Sequence, residues 1–193
     1  MNDPLLVLAD DRIRARDTND PWANLCVLST IDAQHNPQAR IVILRDLERR
    51  FAIFINATSP KQRELELSRR HTVLVYFASL AVQHRLTVLL EPVAAAIVHR
   101  NWADRPRIAK VMDWFYERYG PQTSEVGSRD ELMDHFADLD RQLPSDVSAP
   151  ASAVGYFLIV EEAERLELAT DRPHLRVRYR RSGTDWHSIH LVP

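Results

Sequence analysis

The side chains best suited to chemistry in this sequence surround two apolar segments between residues 39 and 65. Arg40 opens the first apolar segment and Arg45 closes it, while Ser59 and Lys61 flank the start of a predicted helix. Cations, hydroxyls and helix N-terminal N–H groups are the donors with which proteins hold a phosphate group. The pattern therefore indicates a phosphate site, although arginines also end strands and serines also cap helices where no ligand binds.

Several common catalytic motifs are missing from the sequence. Its four glycines form neither a G-x-G-x-x-G motif nor a P-loop. It has no H-E-x-x-H motif and no paired Cys/His spacing, and its single cysteine, Cys26, lies in an apolar run typical of a buried thiol. The sequence therefore gives little support to a hydrolase or a metalloenzyme, and it predicts no metal site.

The composition is that of an ordinary globular protein. The 193 residues carry a net charge of −2, with 45% hydrophobic and 27% charged residues. These values predict one domain over residues 1–193 and favour neither a nucleic-acid nor a membrane surface. No apolar run approaches the ~18 residues that a membrane-spanning helix needs. The first residues place acidic side chains on both sides of a short apolar stretch, unlike a signal peptide, so we expect a cytoplasmic protein.

The predicted elements alternate many short strands with a few helices. Strands are predicted over residues 23–32, 39–46, 51–56, 71–79 and 83–95, and three more follow residue 153. Helices are predicted over residues 4–16, after Ser59, over 95–120 with a break near Arg105-Pro106, and over 127–143, where Ser128 and Glu131 form a capping box. In the first helix we expect Leu5, Leu8 and Ile13 to share the buried face. This order predicts an α+β protein built around a β-barrel.

Residues 39–65 resemble the pyridoxamine 5′-phosphate oxidase family, which binds FMN in a dimeric split β-barrel. The family's strand, loop and helix-start motifs stand here as "RIVILR", "FIN" and "SPK", and the later segments "NWADRPR", "PQTSEVGSRDEL" and "HLRVRYRR" extend the resemblance over nearly the whole chain. The resemblance implies an FMN-binding split β-barrel, mostly antiparallel and Greek-key-like, with peripheral helices. It also implies a homodimer with FMN at the subunit interface.

The resemblance implies a set of cofactor-binding residues. Arg40 and Lys61 are expected to hold the FMN phosphate, and Arg45 is expected to lie between flavin and substrate. The full set is Arg40, Ile41, Val42, Arg45, Ser59, Lys61, Arg85, Gln122, Thr123 and Arg176. Of these, Gln122, Thr123 and Arg176 are expected to reach FMN from the neighbouring subunit.

The same resemblance implies a small-molecule substrate, for which a phosphorylated B6 vitamer is one candidate. Arg105 is expected to anchor the substrate phosphate, and Arg172 and His174 are expected to embrace the substrate ring, beside Arg45. No side chain is expected to act as a dedicated acid or base, because the flavin itself performs the redox chemistry.

Several positions depart from the family pattern. Phe54 and Ile55 replace Tyr-Thr, Pro60 replaces an arginine, Arg85 a glutamine, Asn101 a tyrosine and Ala109 a serine, and a tryptophan is missing near Ala169. Two functions therefore stay open. One is an FMN-dependent oxidase that acts on a small amine or alcohol with dioxygen. The other is an FMN-binding relative without pyridoxamine phosphate oxidase activity, such as a flavin reductase, a carrier or a sensor. A third alternative, without either function, is a split barrel whose site is empty.

Overall fold

The computed structural model describes residues 3–193. Within them the strands are β1 Leu25–Ile31, β2 Pro37–Leu47, β3 Arg50–Asn56, β4 His71–Phe77, β5 Val82–Pro92, β6 Ala153–Glu167, β7 Leu175–Ser182 and β8 Asp185–Leu191. The α-helices are α1 Pro4–Asp17, α2 Pro60–Leu67, α3 Ala95–Ala103, α4 Arg107–Arg118 and α5 Arg129–Gln142, and a 3-10 helix covers Ala78–Leu80. The predicted elements are all present, with small shifts at their ends.

The strands form one sheet that closes on itself. Their order is β3-β2-β1-β4-β5-β6-β7-β8, and β3 also pairs with β6. This extra pairing closes the strands from β3 to β6 into a barrel, and β7 and β8 extend the sheet beyond it. The neighbouring strands whose register is defined pair in antiparallel fashion. The predicted α+β barrel is confirmed.

The chain forms two compact units, each assembled from separate stretches of sequence. The first contains the residues up to Ile53 together with Leu67–Glu91 and Phe157–Pro193, and the second contains Phe54–Glu66 and Pro92–Tyr156. The prediction of one domain over residues 1–193 stays a prediction.

The core of the first unit follows from the alternation of side chains along its strands. Leu28, Leu44 and Val73 are fully buried, as expected where every second residue of a strand faces the core. On the opposite side of β2, Ile41 and Ile43 are 54% and 49% exposed. The barrel strands therefore enclose an apolar core, and β2 also exposes apolar side chains on its outer face.

Helix α1 buries a different face from the predicted one. Leu8 is fully buried as predicted, but Ile13 is 53% exposed, so the prediction that Ile13 belongs to the buried face is wrong. The buried side carries Asp11 and Arg12 instead. Both charged groups have partners within the unit, and this allows them to replace apolar residues in the core.

Asp11 lies at the centre of a buried polar network. Its carboxylate accepts a hydrogen bond from Arg165 Nε at 2.8 Å and lies 2.9 Å from His84 Nε2. Burial raises the pKa of Asp11, but the hydrogen bonds from His84 and Arg165 outweigh it and lower the pKa from 3.8 to about 2. Burial lowers the pKa of His84 below its ordinary value of 6.5. We therefore assign an ionised Asp11 and a neutral His84 at neutral pH.

Because of this network, the free energy of unfolding should depend on pH in the acidic range. Because the pKa of Asp11 is lower in the folded state, its contribution is complete above about pH 4 and is lost as the pH falls towards about 2. We expect the free energy of unfolding to fall by about 2 kcal/mol more over this range in the wild type than in Asp11→Asn. Denaturant titrations at a series of pH values measure this difference. The exposed neighbour Asp10, changed to asparagine, should keep the wild-type profile, and an Asp11→Asn profile parallel to the wild type would refute the assignment.

The helices of the second unit follow the capping signals of the sequence. The helical segment is interrupted between α3 and α4 at Arg105-Pro106, as predicted. Ser128 Oγ accepts a hydrogen bond from the Glu131 N–H at 3.1 Å, which confirms the predicted N-cap of α5. Helices α4 and α5 pack through a core in which Val111 and Leu139 are fully buried.

Two further features concern possible membrane and metal contacts. Among residues 3–193, no helix combines the length and the apolar character that a membrane crossing requires. The same residues contain no cluster of three or more His, Cys, Asp or Glu side chains arranged to hold a metal ion.

Candidate functional site

The loop between β3 and α2 places a hydroxyl and a cation at the start of a helix. Ser59 is 2% exposed, and its Oγ accepts a hydrogen bond from the Lys61 N–H at 3.3 Å. Lys61 Nζ donates to the same oxygen at 2.5 Å. Asn56 holds the turn before them, because its Oδ1 accepts from the Thr58 N–H at 2.9 Å. The predicted N-cap role of Ser59 is therefore confirmed, and Pro60 takes the first helical position.

A third predicted cofactor residue joins this group within the second unit. Lys61 Nζ donates to Gln122 Oε1 at 2.9 Å, although the two residues are far apart in sequence. Gln122 also hydrogen-bonds Tyr116, and burial raises the pKa of that phenol. Ser59, Lys61 and Gln122 form what we call the helix-start cluster. Nothing in the sequence spacing of Tyr116 points to Gln122.

Thr123, the neighbour of Gln122, has a backbone conformation that β-branched residues rarely adopt. Its φ is +78°, in the left-handed region. Such strain persists only where surrounding contacts impose it, and it is concentrated at functional sites. Gln122 and Thr123 both line a pocket of about 530 Å³ between α4, α5 and the intervening loop. Its walls are mostly apolar, including Met112, Phe115 and Phe136.

The helix-start cluster has the chemistry that a phosphate requires. An ammonium group, a hydroxyl and a side-chain amide are all hydrogen-bond donors to phosphate oxygens. The N-terminal end of α2 adds backbone N–H groups and the positive end of the helix dipole. These residues fit the phosphate of FMN.

In the first unit, β2 carries the other predicted residues of the central motif. Arg40 lies opposite Leu28, donates to the Leu28 carbonyl at 3.3 Å and hydrogen-bonds Thr30 Oγ1. Ile41 and Val42 follow in the ladder with β1. Arg45 lies opposite Ala52, and its guanidinium makes no hydrogen bond or ion pair with any residue that the structure describes. Arg45 is therefore a partly buried cation without a partner among them.

Two predicted arginines of the first unit share one buried carboxylate. Arg85 Nη2 donates to Glu164 Oε2 at 2.8 Å, and Arg176 Nε donates to Glu164 Oε1 at 2.8 Å. The Glu164 side chain is 7% exposed. Two cations that share one carboxylate leave a net positive charge. Glu164 therefore orients both arginines without neutralising their combined charge. Sequence reasoning missed Glu164, because three separate strands, β5, β6 and β7, bring these residues together.

The predicted substrate residues Arg172 and His174 lie in the loop between β6 and β7. Arg172 is paired with Glu167, which Arg165 also contacts at 3.0 Å. His174 Nδ1 accepts a hydrogen bond from the Ala169 N–H at 3.1 Å. In a neutral imidazole this bond places the ring proton on Nε2, which can then donate to a ligand.

Arg105, the predicted anchor for a substrate phosphate, lies in the second unit beside a buried acid. Its Nη1 donates to Asp113 Oδ2 at 2.6 Å, and Trp102 Nε1 donates to the same oxygen at 3.1 Å. Burial raises the pKa of Asp113, while Arg105 acts in the opposite direction. The structure thus groups Ser59, Lys61 and Gln122 in one unit and Arg85 with Arg176 in the other. No pattern in the sequence points to Asp113 as a site residue.

Comparison with known proteins identifies the class of this fold. No protein-family model matches the chain. PhzG from Burkholderia lata 383, solved in complex with tetrahydrophenazine-1-carboxylic acid, shares the fold with a TM-score of 0.88 and 24% identity, over 100% of this chain and 94% of that one. A pyridoxamine 5′-phosphate oxidase-related, FMN-binding protein from Nostoc punctiforme shares it with a TM-score of 0.79 and 16% identity, over 100% of both chains. The fold is that of the FMN-binding split barrels, as predicted.

Sequence relatives define the family. The chain is 32% identical to pyridoxine/pyridoxamine 5′-phosphate oxidase 1 of Ralstonia nicotianae over 95% of its own length and 84% of that protein. It is 31% identical to the pyridoxine/pyridoxamine 5′-phosphate oxidase of a Nocardioides species over 89% of its length and 79% of that protein. The chain therefore belongs to the pyridoxine/pyridoxamine 5′-phosphate oxidase family, as a divergent member, and the predicted family is confirmed.

Proposed function

We propose that this chain is an FMN-dependent oxidase that acts on a small amine or alcohol and passes the electrons to dioxygen. The cofactor is FMN, as in the family to which the chain belongs. The observation that carries the proposal is the helix-start cluster, in which Lys61 Nζ lies 2.5 Å from Ser59 Oγ and 2.9 Å from Gln122 Oε1. A member of this family that keeps these donors keeps the means to bind the phosphate end of FMN.

Each residue of the cluster has a separate task in this proposal. Lys61 supplies the ammonium group that hydrogen-bonds the phosphate, and Ser59 fixes both its backbone and its side chain. Gln122 accepts a second hydrogen bond from the ammonium group, and the strained Thr123 follows it directly in sequence. Arg40 is the second cation that the sequence predicts for the phosphate.

Bound FMN supplies the redox chemistry, because its ring system takes a hydride equivalent from a carbon that bears an amine or hydroxyl group and passes the electrons to dioxygen. The residues of the chain bind and orient the substrate. His174 is proposed to donate from Nε2 to the substrate, since the Ala169 N–H occupies Nδ1. Arg172, held by Glu167, is proposed to contact the substrate beside His174.

Arg85 and Arg176 are proposed to supply positive charge beside the flavin. Their shared carboxylate, Glu164, fixes both guanidinium groups and leaves a net charge of the sign that favours a reduced, anionic flavin. The replacement of the usual glutamine by Arg85 therefore adds charge at this position instead of removing a contact.

We also propose the homodimer that the family resemblance implies, with FMN at the interface. The apolar outer face of β1 and β2 supports this assembly, because Ile31, Ile41 and Ile43 are 47%, 54% and 49% exposed there. The cytoplasmic location stays a prediction from the sequence.

A second function deserves a test because Arg105 is paired with Asp113. An FMN-binding relative without pyridoxamine phosphate oxidase activity, such as a flavin reductase or carrier, needs no cation for a substrate phosphate. This alternative keeps the cofactor site and changes only the reaction.

The test of the proposed function uses the purified chain and two probes. We expect a yellow protein whose released chromophore has the mass of FMN, because the helix-start cluster holds the phosphate. Anaerobic mixing with pyridoxamine or with pyridoxamine 5′-phosphate should bleach the flavin band for at least one of them, and air should restore the band and yield hydrogen peroxide. A flavin that neither probe reduces would favour the alternative function, and a protein that retains no FMN when it is supplied would refute both.

A further inference from the structure

The ion pair between Arg105 and Asp113 changes the chemistry of the proposed substrate anchor. Asp113 is 5% exposed and accepts hydrogen bonds from Arg105 at 2.6 Å and Trp102 at 3.1 Å, and Asn56 also bonds it. An arginine paired in this way carries no net charge to a ligand. A phosphate dianion brought to Arg105 would also meet the Asp113 carboxylate, and like charges repel strongly in partly buried surroundings.

On its buried side, Arg105 has no room for a phosphate group beside it. The cavity that Arg105 lines holds about 10 Å³, which is close to the room that one water molecule needs. Phe54 and Asn101 form part of its wall. Phe54 packs closely against the Gly155 backbone, because a Cβ added at Gly155 would lie 2.7 Å from its ring. A phosphate could therefore approach only the exposed part of the Arg105 side chain, where the Asp113 charge opposes it.

Two side chains of this unit lack the hydroxyl that the family resemblance leads us to expect. Asn101 lines the small cavity, and Ala109 is the third residue of α4. The family resemblance places a tyrosine and a serine at these positions. The charge at Arg105 and the loss of these two hydroxyls therefore both point away from a phosphate.

We propose that Asp113 sets the substrate class of this chain: by pairing with Arg105 it disfavours phosphate monoesters and leaves an unphosphorylated small amine or alcohol as the substrate. This inference rests on the proposed oxidase function and specifies its substrate. The exposed part of the Arg105 side chain, 26% of its surface, still donates to a neutral or singly charged group. Asp113 is thus a specificity-determining residue that acts through Arg105.

The test compares two probes that differ only in the phosphate, pyridoxamine and pyridoxamine 5′-phosphate. Their dissociation constants are measured by equilibrium dialysis for the wild type, for Asp113→Asn and for the control Asp138→Asn, whose acid is exposed and pairs with Arg141 on α5. Asparagine keeps an oxygen for Trp102 and removes the charge. Each protein is measured with FMN bound and after removal of FMN, so that loss of the cofactor does not hide the result.

We expect the phosphate to improve binding to the wild type and to the control by no more than about threefold. In Asp113→Asn we expect the phosphorylated probe to bind about tenfold more tightly than in the wild type, with pyridoxamine unchanged. A wild type that prefers the phosphorylated probe by more than about tenfold would overturn the proposal, and this measurement needs no variant. An unchanged ratio in folded Asp113→Asn, or no binding of the phosphorylated probe to it, would also overturn it. Failure to retain FMN would count against the proposed function alone.

Discussion

Replacement of Lys61 by alanine is expected to weaken FMN binding by about two orders of magnitude. The variant loses a charge-assisted hydrogen bond to the phosphate, and it also releases Ser59 and Gln122, which Lys61 Nζ contacts at 2.5 and 2.9 Å. Flavin fluorescence during titration of the cofactor-free protein with FMN measures the effect. Binding of riboflavin, which lacks the phosphate, should change much less.

The second lysine of the chain provides a matched control. Lys110 donates to the Ala103 carbonyl at 2.5 Å and lies 5.1 Å from the centre of the Trp102 ring, outside the helix-start cluster. Lys110→Ala should therefore retain FMN as the wild type does. Equal losses of FMN and riboflavin affinity in Lys61→Ala would show that the substitution damaged the fold, and unchanged FMN affinity would show that the phosphate is held elsewhere.

Replacement of Arg12 by methionine is expected to reduce the free energy of unfolding by about 3–5 kcal/mol. Arg12 is 1% exposed, and its guanidinium joins α1 to the strand region of the first unit. It donates to the Ala23 carbonyl at 2.7 Å, to Asp46 at 2.5 Å and to the Leu44 carbonyl. Methionine fills most of the space but removes the donor from the buried Ala23 and Leu44 carbonyls, whereas Asp46 keeps its pair with Arg16.

The variant Arg16→Met is the control that separates the effect of burial from the effect of losing a charge. Arg16 also pairs with Asp46, at 2.7 Å, but its side chain is 40% exposed. We expect Arg16→Met to cost no more than about 1 kcal/mol, because exposed ion pairs contribute little. Denaturant unfolding of both variants measures the two losses, and similar losses would contradict the central role of the buried guanidinium.

Local signals in the sequence predicted the elements of this fold because they act over a few residues. The Ser128 cap of α5, the break at Pro106 and the start of α2 at Pro60 each depend on neighbours within about one helical turn. Alternation of apolar residues similarly predicted the strands, since every second side chain must enter the core. The barrel and its family then followed from several motifs in the right order.

The polar centres of the molecule could not be predicted in the same way. Asp11 reaches Arg165, and Arg85 and Arg176 meet at Glu164, through pairings between distant parts of the sequence. A buried charge also reverses the apolar pattern that identifies a helix face, and for this reason Ile13 was misplaced in α1. Such partners become visible only when the strands that carry them are in register.

Asp113 illustrates the same limit within a single helical region. It is buried in α4, and only the fold shows that Arg105 and Trp102 converge on it. Lys61 and Gln122 are a contrasting case. The family resemblance predicted both as cofactor residues, with Gln122 reaching FMN from the neighbouring subunit, and the structure shows a contact between them within one chain. The role of Gln122 across the interface stays a prediction.

The most direct test of the account is a crystal structure of the chain with FMN bound. The account predicts phosphate oxygens about 2.7–2.9 Å from Lys61 Nζ, with Ser59 and Gln122 still in place around that ammonium group. An FMN phosphate bound at a distance from the start of α2, with Lys61 making no contact to it, would contradict the central claim.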